Sequence, residues 1–172
     1  VENFQVFRIG ETLRLNLIAL RCVSRDPKRF AYVASLIVKN CKLPLILCSF
    51  DPSVLEAALR RNEVAESRPL LYAANAENWR DMGLLAKRYD CPLAVFAPKS
   101  LVEMVSLVRT FEEAGLKDLV LDPGTYPDGH LLKESLEKMV MIRRAAIKRD
   151  DKTLGYPVIA VPAVVWLEGG KE

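Results

Sequence analysis

Two carboxylates and a carboxamide stand where apolar runs of this sequence end. Asp51, Asn75 and Asp122 each follow or close such a run. If the runs are parallel strands, their carboxyl ends share one rim, which is where ligands bind in α/β folds. Carboxylate and amide groups that converge there can hydrogen-bond a heterocycle with several N–H and amino groups. We therefore predict a ligand-binding rim of these three residues.

Each of the three residues also has a structural interpretation. Asp51 stands directly before Pro52, which is the signature of a helix N-cap followed by a first-turn proline. Asn75 fits a cap or turn, and Asp122 stands before Pro-Gly and fits a turn former. No residue in this set is assigned a catalytic role.

The remaining reactive side chains do not indicate catalysis or metal binding. His130 is the only histidine and lies at a predicted helix start, so we expect a surface residue. Cys22, Cys41, Cys48 and Cys91 form no Cys-x-x-Cys pair. We interpret them as reduced thiols of a cytoplasmic protein, with no metal or iron–sulfur ligands among them.

Basic residues crowd the end of one predicted helix, at Arg143, Arg144, Lys148 and Arg149. Cations at a helix C-terminus complement the helix dipole, which favours a solvated face. The alternative is a docking patch for an acidic partner subunit.

Prolines mark the elements that would position the rim. Four apolar runs open with a proline, at residues 44–48, 69–73, 92–96 and 157–161. Within a sheet, proline is confined mainly to edges, bulges and the first residue of a strand, so each proline predicts a strand start. Further strands are predicted at 15–23 and 119–122. The strand that opens at residue 157 is predicted to extend to residue 166, and helical patterns separate the strands.

This alternation predicts one α/β domain over residues 1–172. The architecture we expect is a partial TIM-type β/α barrel, with about six parallel strands and five intervening helices; the alternative is an open doubly wound sheet. A complete barrel typically takes about 250 residues. The glycine-rich signatures of nucleotide-binding folds are absent from the sequence.

Composition argues against two classes of partner. The formal net charge is only +3, and aromatic residues make up 8% of the chain. These values do not indicate nucleic-acid binding. No apolar stretch approaches the roughly 18 residues that span a bilayer, so we expect no membrane association.

Several segments, taken in order, resemble a known family. They are residues 15–21 (LNLIALR), 44–52 (PLILCSFDP), 68–74 (RPLLYAA), 121–125 (LDPGT), 141–148 (MIRRAAIK) and 155–163 (GYPVIAVPA). Together they resemble the β/α-barrel region of the large (gamma) subunit of the corrinoid iron–sulfur protein, part of the acetyl-CoA decarbonylase/synthase system. The resemblance covers nearly the whole chain.

The resemblance implies a role in the one-carbon metabolism of anaerobes. The family protein takes a methyl group from a methyl-tetrahydropterin through a methyltransferase and passes it to acetyl-CoA synthase. A corrinoid and a 4Fe-4S cluster are implied for the full-length protein, and none for this segment. The implied partners are the small (delta) subunit, the methyltransferase and acetyl-CoA synthase.

Neither the cluster-binding nor the corrinoid-binding domain of that family is found in this sequence, which opens on Val1 and is expected to be a piece of a larger protein. We therefore expect a segment that acts mainly as a scaffold and is not catalytic alone. The alternatives are a pterin-binding, methyltransferase-like enzyme and an unrelated small α/β binding module.

Overall fold

A five-stranded parallel sheet forms the centre of the computed structural model, which describes residues 3–126 and 129–163. The strands are β1 (Gln5–Arg8), β2 (Glu11–Arg14), β3 (Ile18–Arg21), β4 (Leu45–Cys48), β5 (Leu70–Ala74), β6 (Leu93–Phe96) and β7 (Leu119–Asp122). The helices are α1 (Pro27–Asn40), α2 (Pro52–Leu59), α3 (Asn62–Glu66), α4 (Trp79–Tyr89), α5 (Leu101–Glu113) and α6 (Gly129–Lys148), followed by a 3-10 turn at Lys152–Leu154.

The parallel strands lie side by side in chain order, from β3 to β7. Parallel crossovers are right-handed, so an order without reversal places the connecting helices on one face of the sheet. A doubly wound sheet needs a reversal in strand order. The predicted parallel α/β class is confirmed, and the order favours the partial barrel, although the described strands do not close one.

The hydrophobic core lies between this sheet and its single layer of helices. Alternate strand residues face the helices and pack against helical side chains. The resulting core includes Leu47, Leu71, Val95 and Leu121 from the strands and Ala34, Leu55, Met82 and Val108 from the helices. Ile46 and Ala94 occupy the intervening positions; they are buried but lie outside this core. The second face of the sheet therefore carries no helical layer among the described residues.

The local signals that positioned these elements act as expected. The carbonyls of Pro44 and Pro92 accept hydrogen bonds from the amides of Ile18 and Leu71 at 2.9 Å, so each proline stands directly before its strand and lacks only a donor. Asp26 Oδ1 caps α1 by accepting from the amides of Lys28 and Arg29. These contacts explain why the predicted and observed starts agree within a few residues.

Two predicted strands are shorter than expected. The strand predicted at 15–23 is only Ile18–Arg21, paired with β4 on one side. The strand predicted at 157–166 is a single parallel bridge between Val158 and Leu121, and residues 164–166 lie outside the described part of the chain.

Three of the strands and helices were not predicted: β1, β2 and α3. An antiparallel hairpin joins β1 to β2 through Ile9 and Gly10, whose φ angles are 50° and 80°. Positive φ at both positions is typical of a type I′ turn, for which Asn-Gly is the usual sequence signal. Because isoleucine stands at the first position, the sequence did not indicate this turn. The short helix α3 was also missed, because its first residue follows a cap without a side-chain hydrogen bond.

The helices within residues 3–126 and 129–163 include none with the length and apolar character that crossing a membrane requires.

Candidate functional site

The carboxyl ends of the strands bring five side chains onto the helix-free face. Arg21, Cys48 and Tyr72 are register partners on β3, β4 and β5, and Phe96 is the partner of Asp122 on β6 and β7. Register partners in a parallel sheet project from the same face. A hydrogen bond from Tyr72 to Asp122 joins the two sets, so all five lie on one face.

Asp122 is the most enclosed polar residue of this face, with 1% of its surface exposed. Its Oδ2 accepts a 2.6 Å hydrogen bond from the Tyr72 hydroxyl, and its Oδ1 accepts a 2.8 Å bond from the amide of Gly124. Burial raises the pKa of the Asp122 carboxyl, and the two hydrogen bonds oppose that rise. Burial and the neighbouring Asp122 also raise the pKa of Tyr72, which keeps the phenol protonated as the donor.

Three aromatic rings form a wall beside this pair. The centroid of Phe50 lies 5.5 Å from that of Phe96 and 6.3 Å from that of Tyr72, and those of Tyr72 and Phe96 are 6.4 Å apart. All three pairs are tilted, an arrangement that aromatic quadrupoles favour. Phe50 is 50% exposed, so the wall is open to a ligand.

Sequence reasoning missed this wall. The signal was available, because Phe96 ends one proline-opened run and Phe50 follows another by two residues. Asn78 was missed as well: its Nδ2 donates to the carbonyls of Phe50 at 2.8 Å and Ala73 at 3.2 Å. Asn78 thus ties the Phe50 loop to the end of β5.

The structure places Asp51 and Asn75 at the same rim, but in local turns. Asp51 Oδ1 accepts from the amide and hydroxyl of Ser53, which caps α2. Asn75 Oδ1 accepts from the amides of Glu77 and Asn78. No hydrogen bond in the described residues joins either side chain to Asp122, so their role in binding stays a prediction.

The four cysteine thiols are free, and the pKa values of two of them, Cys48 and Cys91, are raised. Burial raises the pKa of Cys48 to about 11 against the opposing influence of Arg21. Burial likewise raises the pKa of Cys91 to about 11. Across residues 3–126 and 129–163, no three histidine, cysteine or acidic side chains are grouped so that they could hold a metal ion.

His130 lies on the surface at the start of α6, as predicted. Its Nδ1 lies 3.1 Å from Glu134 Oε1, one helical turn further along, and its side chain is 79% exposed.

The aromatic wall, with Phe50 half exposed, offers stacking surface for a flat ring. The Asp122 carboxyl beside it is 1% exposed, and its two oxygens already accept hydrogen bonds from Tyr72 and Gly124. A five-stranded parallel sheet with helices on one face, and with such side chains at the strands' carboxyl ends, defines a protein of the parallel α/β class.

Comparison with known proteins narrows this class to one family. A family model described as "CO dehydrogenase/acetyl-CoA synthase delta subunit" matches residues 1–171. The chain belongs to this family.

Its curated relatives are subunits of one complex. The chain is 46% identical over 170 residues to the acetyl-CoA decarbonylase/synthase complex subunit gamma 2 of Methanosarcina thermophila, a match that covers 98% of the chain and 35% of the relative. The gamma 2 subunit of Methanosarcina mazei is 44% identical with the same coverage. The gamma subunit of Archaeoglobus fulgidus is 41% identical over 172 residues, which are 100% of the chain and 36% of the relative.

These matches confirm the resemblance to the gamma subunit, although the family description names a delta subunit. The chain spans only about a third of the length of the relatives, with 35% and 36% of their residues covered.

Proposed function

We propose that this chain is a barrel segment of a gamma-type subunit of an acetyl-CoA decarbonylase/synthase complex and that it acts there mainly as a scaffold. The observation that carries the proposal is the match of the whole chain to about a third of the gamma subunits, at 41–46% identity. The helix-free face of the sheet supports it, because strand faces of this kind are covered in a completed barrel.

The chemistry of the parent protein is methyl transfer from a methyl-tetrahydropterin to acetyl-CoA synthase. Its partners are a small (delta) subunit, a methyltransferase and acetyl-CoA synthase. Four free thiols support the cytoplasmic location that we propose for it.

In this proposal, the parts of the parent protein outside this segment bind a corrinoid and a 4Fe-4S cluster. Iron–sulfur clusters are held by sets of cysteine thiolates, and the described residues bring no such set together. They therefore do not fit a cluster, and we derive no step through either group.

A second function is favoured by one specific observation, the Tyr72–Asp122 pair beside an exposed aromatic wall. A carboxyl next to tilted aromatic rings is suited to a pterin ring, whose amino and N–H groups need acceptors. In this alternative the segment itself binds methyl-tetrahydropterin and contributes to methyl transfer, with Asp51 and Asn75 as further ligand-binding candidates.

Titration of the full-length subunit with methyl-tetrahydropterin separates the two functions. The variants are Asp51→Ala, Asn75→Ala and Asp122→Asn, and Ser100→Ala is the matched control. Ser100 caps α5 by accepting hydrogen bonds from two backbone amides. Ser100→Ala therefore removes a helix cap, as Asp51→Ala does, at a residue that is not predicted to bind a ligand.

The scaffold function predicts no change in pterin binding for any variant, and an unchanged rate of methyl transfer per assembled complex. If Asp122→Asn weakens pterin binding at least tenfold while Ser100→Ala does not, the pterin-binding function replaces the scaffold.

A further inference from the structure

Helix α6 carries an apolar stripe that nothing covers among the described residues. Its members recur at helical spacing and so share one face: they are Leu132, Leu136, Val140 and Ile147, which are 41%, 55%, 48% and 70% exposed. Ser135 and Ile142 are the buried residues of α6 and lie on a different face, which packs on the domain. A helix of 20 residues thus uses one face for the core and leaves a second apolar face open.

Cationic side chains border this stripe at its carboxyl-terminal half. A shallow groove there is lined by Met139, Val140, Arg143, Arg144, Ile147 and Lys148. None of these lining residues, all from the described part of the chain, is acidic. The groove therefore presents an apolar floor with a positive border.

These cations have no partner in the described part of the chain. Some other basic residues are paired: Lys39 pairs with Glu63 at 2.9 Å, and Arg88 pairs with Glu56 at 3.1 Å. On α6 itself, Lys133 reaches Glu137 at 3.7 Å. No hydrogen bond or ion pair satisfies Arg143, Arg144 or Lys148 within residues 3–126 and 129–163.

The helix dipole does not account for this cluster. Its influence on a side chain is confined to about the last turn of a helix. α6 ends at Lys148, so Arg143 and Arg144 lie before that turn. Two arginines and a methionine beside an apolar floor are instead the residue types that are enriched in protein interfaces.

We propose that the α6 groove docks an acidic amphipathic helix of another subunit. The partner's apolar side chains would lie on Val140 and Ile147, and its carboxylates would pair with Arg143, Arg144 and Lys148. Helix-in-groove recognition uses this i, i+4, i+7 geometry, and arginine binds carboxylates through two parallel hydrogen bonds. The inference rests on the proposed function, since it takes the partner from the same complex.

A covering segment of the parent subunit itself is the competing occupant. A face that is permanently covered within one fold would be expected to lack unpaired charges, because burying an unpaired charge is costly. Arginine is rarely buried within one fold and is enriched in interfaces between proteins, so Arg143 and Arg144 favour a separate acidic chain.

The test uses the complex assembled from full-length subunits. Ile147→Glu and the double variant Arg143→Glu/Arg144→Glu change exposed side chains of the groove. The matched controls are Val102→Glu and Arg109→Glu on α5, both of which are exposed and distant in sequence. Assembly is measured by size-exclusion chromatography with light scattering at about 0.1 M and 0.5 M salt, a range over which screening of exposed charges becomes strong.

We expect both groove variants to weaken assembly at least tenfold at low salt, and both controls to assemble as the unaltered subunit does. Circular dichroism confirms that each variant is folded. Assembly of the groove variants with unaltered affinity overturns the inference.

Carbodiimide cross-linking identifies the occupant, because it joins a lysine amine to a carboxylate in direct contact. We expect Lys148 to be linked to an aspartate or glutamate of another subunit, and Lys117 of the α5–β7 loop to serve as the control without such a link. Links from Lys148 only to its own subunit overturn the inference. An unaltered subunit that joins no complex at all overturns the proposed function, which keeps the two failures distinct.

Discussion

The hydroxyl of Tyr72 donates a 2.6 Å hydrogen bond to Oδ2 of Asp122, 50 residues further along the chain. The bond joins β5 to β7 across the intervening strand β6. It fixes the orientation of a carboxyl that is 1% exposed, on the face of the sheet where no helix packs.

Replacing Asp122 by asparagine should change how stability depends on pH. The pKa of Asp122 is raised in the folded state, so the folded chain binds this proton more tightly than the unfolded chain does. The carboxyl therefore favours folding most below its ordinary pKa of 3.8, and this contribution is lost as the pH rises through the folded-state pKa. Asparagine keeps an acceptor for Gly124 and carries no charge.

We expect Asp122→Asn to be more stable relative to the unaltered protein at pH 7 than at pH 3. Urea denaturation at the two pH values measures the difference. Tyr72→Phe is the companion variant, and it should cost about 1–3 kcal/mol at pH 7, since it leaves a buried carboxylate short of a donor. An identical change in the free energy of unfolding of Asp122→Asn at both pH values would contradict the raised pKa of Asp122.

Gly124 should tolerate no side chain. Its φ is +81°, and a Cβ built there would lie 2.7 Å from the Cβ of Pro98. Gly115 is the matched control, because its φ is +89° and nothing lies within 4 Å of an added Cβ.

Gly115→Ala should therefore show the cost of the left-handed backbone alone, about 1–2 kcal/mol, and Gly124→Ala should exceed it by about 1–3 kcal/mol from overpacking. Urea denaturation of both variants gives the comparison. Equal losses would show that Pro98 moves aside without cost.

Ser35 should control the acidity of Glu63. Its hydroxyl donates a 2.6 Å hydrogen bond to Glu63 Oε1, which ties α1 to α3, and Lys39 lies 2.9 Å from the same oxygen. These contacts, the Ser35 bond first, lower the pKa of Glu63 from 4.5 to about 2. A lowered pKa stabilises the fold above pH 4.5, and the contribution is lost as the pH falls towards 2.

Ser35→Ala should raise the pKa of Glu63 towards its ordinary value, which a carboxyl titration by nuclear magnetic resonance detects directly. Ser106→Ala, at an exposed position on α5, is the control. An unmoved Glu63 titration in Ser35→Ala would assign the low pKa to Lys39 instead.

Two cysteines should resist alkylation in the folded protein. The pKa values of Cys48 and Cys91 are raised to about 11, and the thiolate is the reacting form. At pH 8 we expect their alkylation by iodoacetamide to be at least about a hundredfold slower than that of free cysteine, whose pKa is about 8.5. Mass spectrometry of each peptide follows the rates, and the control is the same protein in urea, where both thiols should react rapidly. Rapid native labelling would show that the thiols are neither buried nor protonated.

The sequence by itself determined the order and kind of most elements. Asp26 before Pro27, Asp51 before Pro52 and the prolines that precede β4, β5 and β6 act through the backbone of their immediate neighbours. Such signals are local, so they can be read without knowing the fold. Where the local signal was atypical, as at Ile9-Gly10, the element was missed.

Only the tertiary structure decided which side chains share a site. Asp51, Asn75 and Asp122 all follow or close parallel strands, yet capping turns hold the first two, and the third accepts a hydrogen bond from Tyr72, whose ring lies beside Phe50 and Phe96. That grouping depends on strand register and on which residue of each strand end turns to the helix-free face. Register is set by the packing of the whole sheet, so no local run of residues could reveal that Tyr72 meets Asp122.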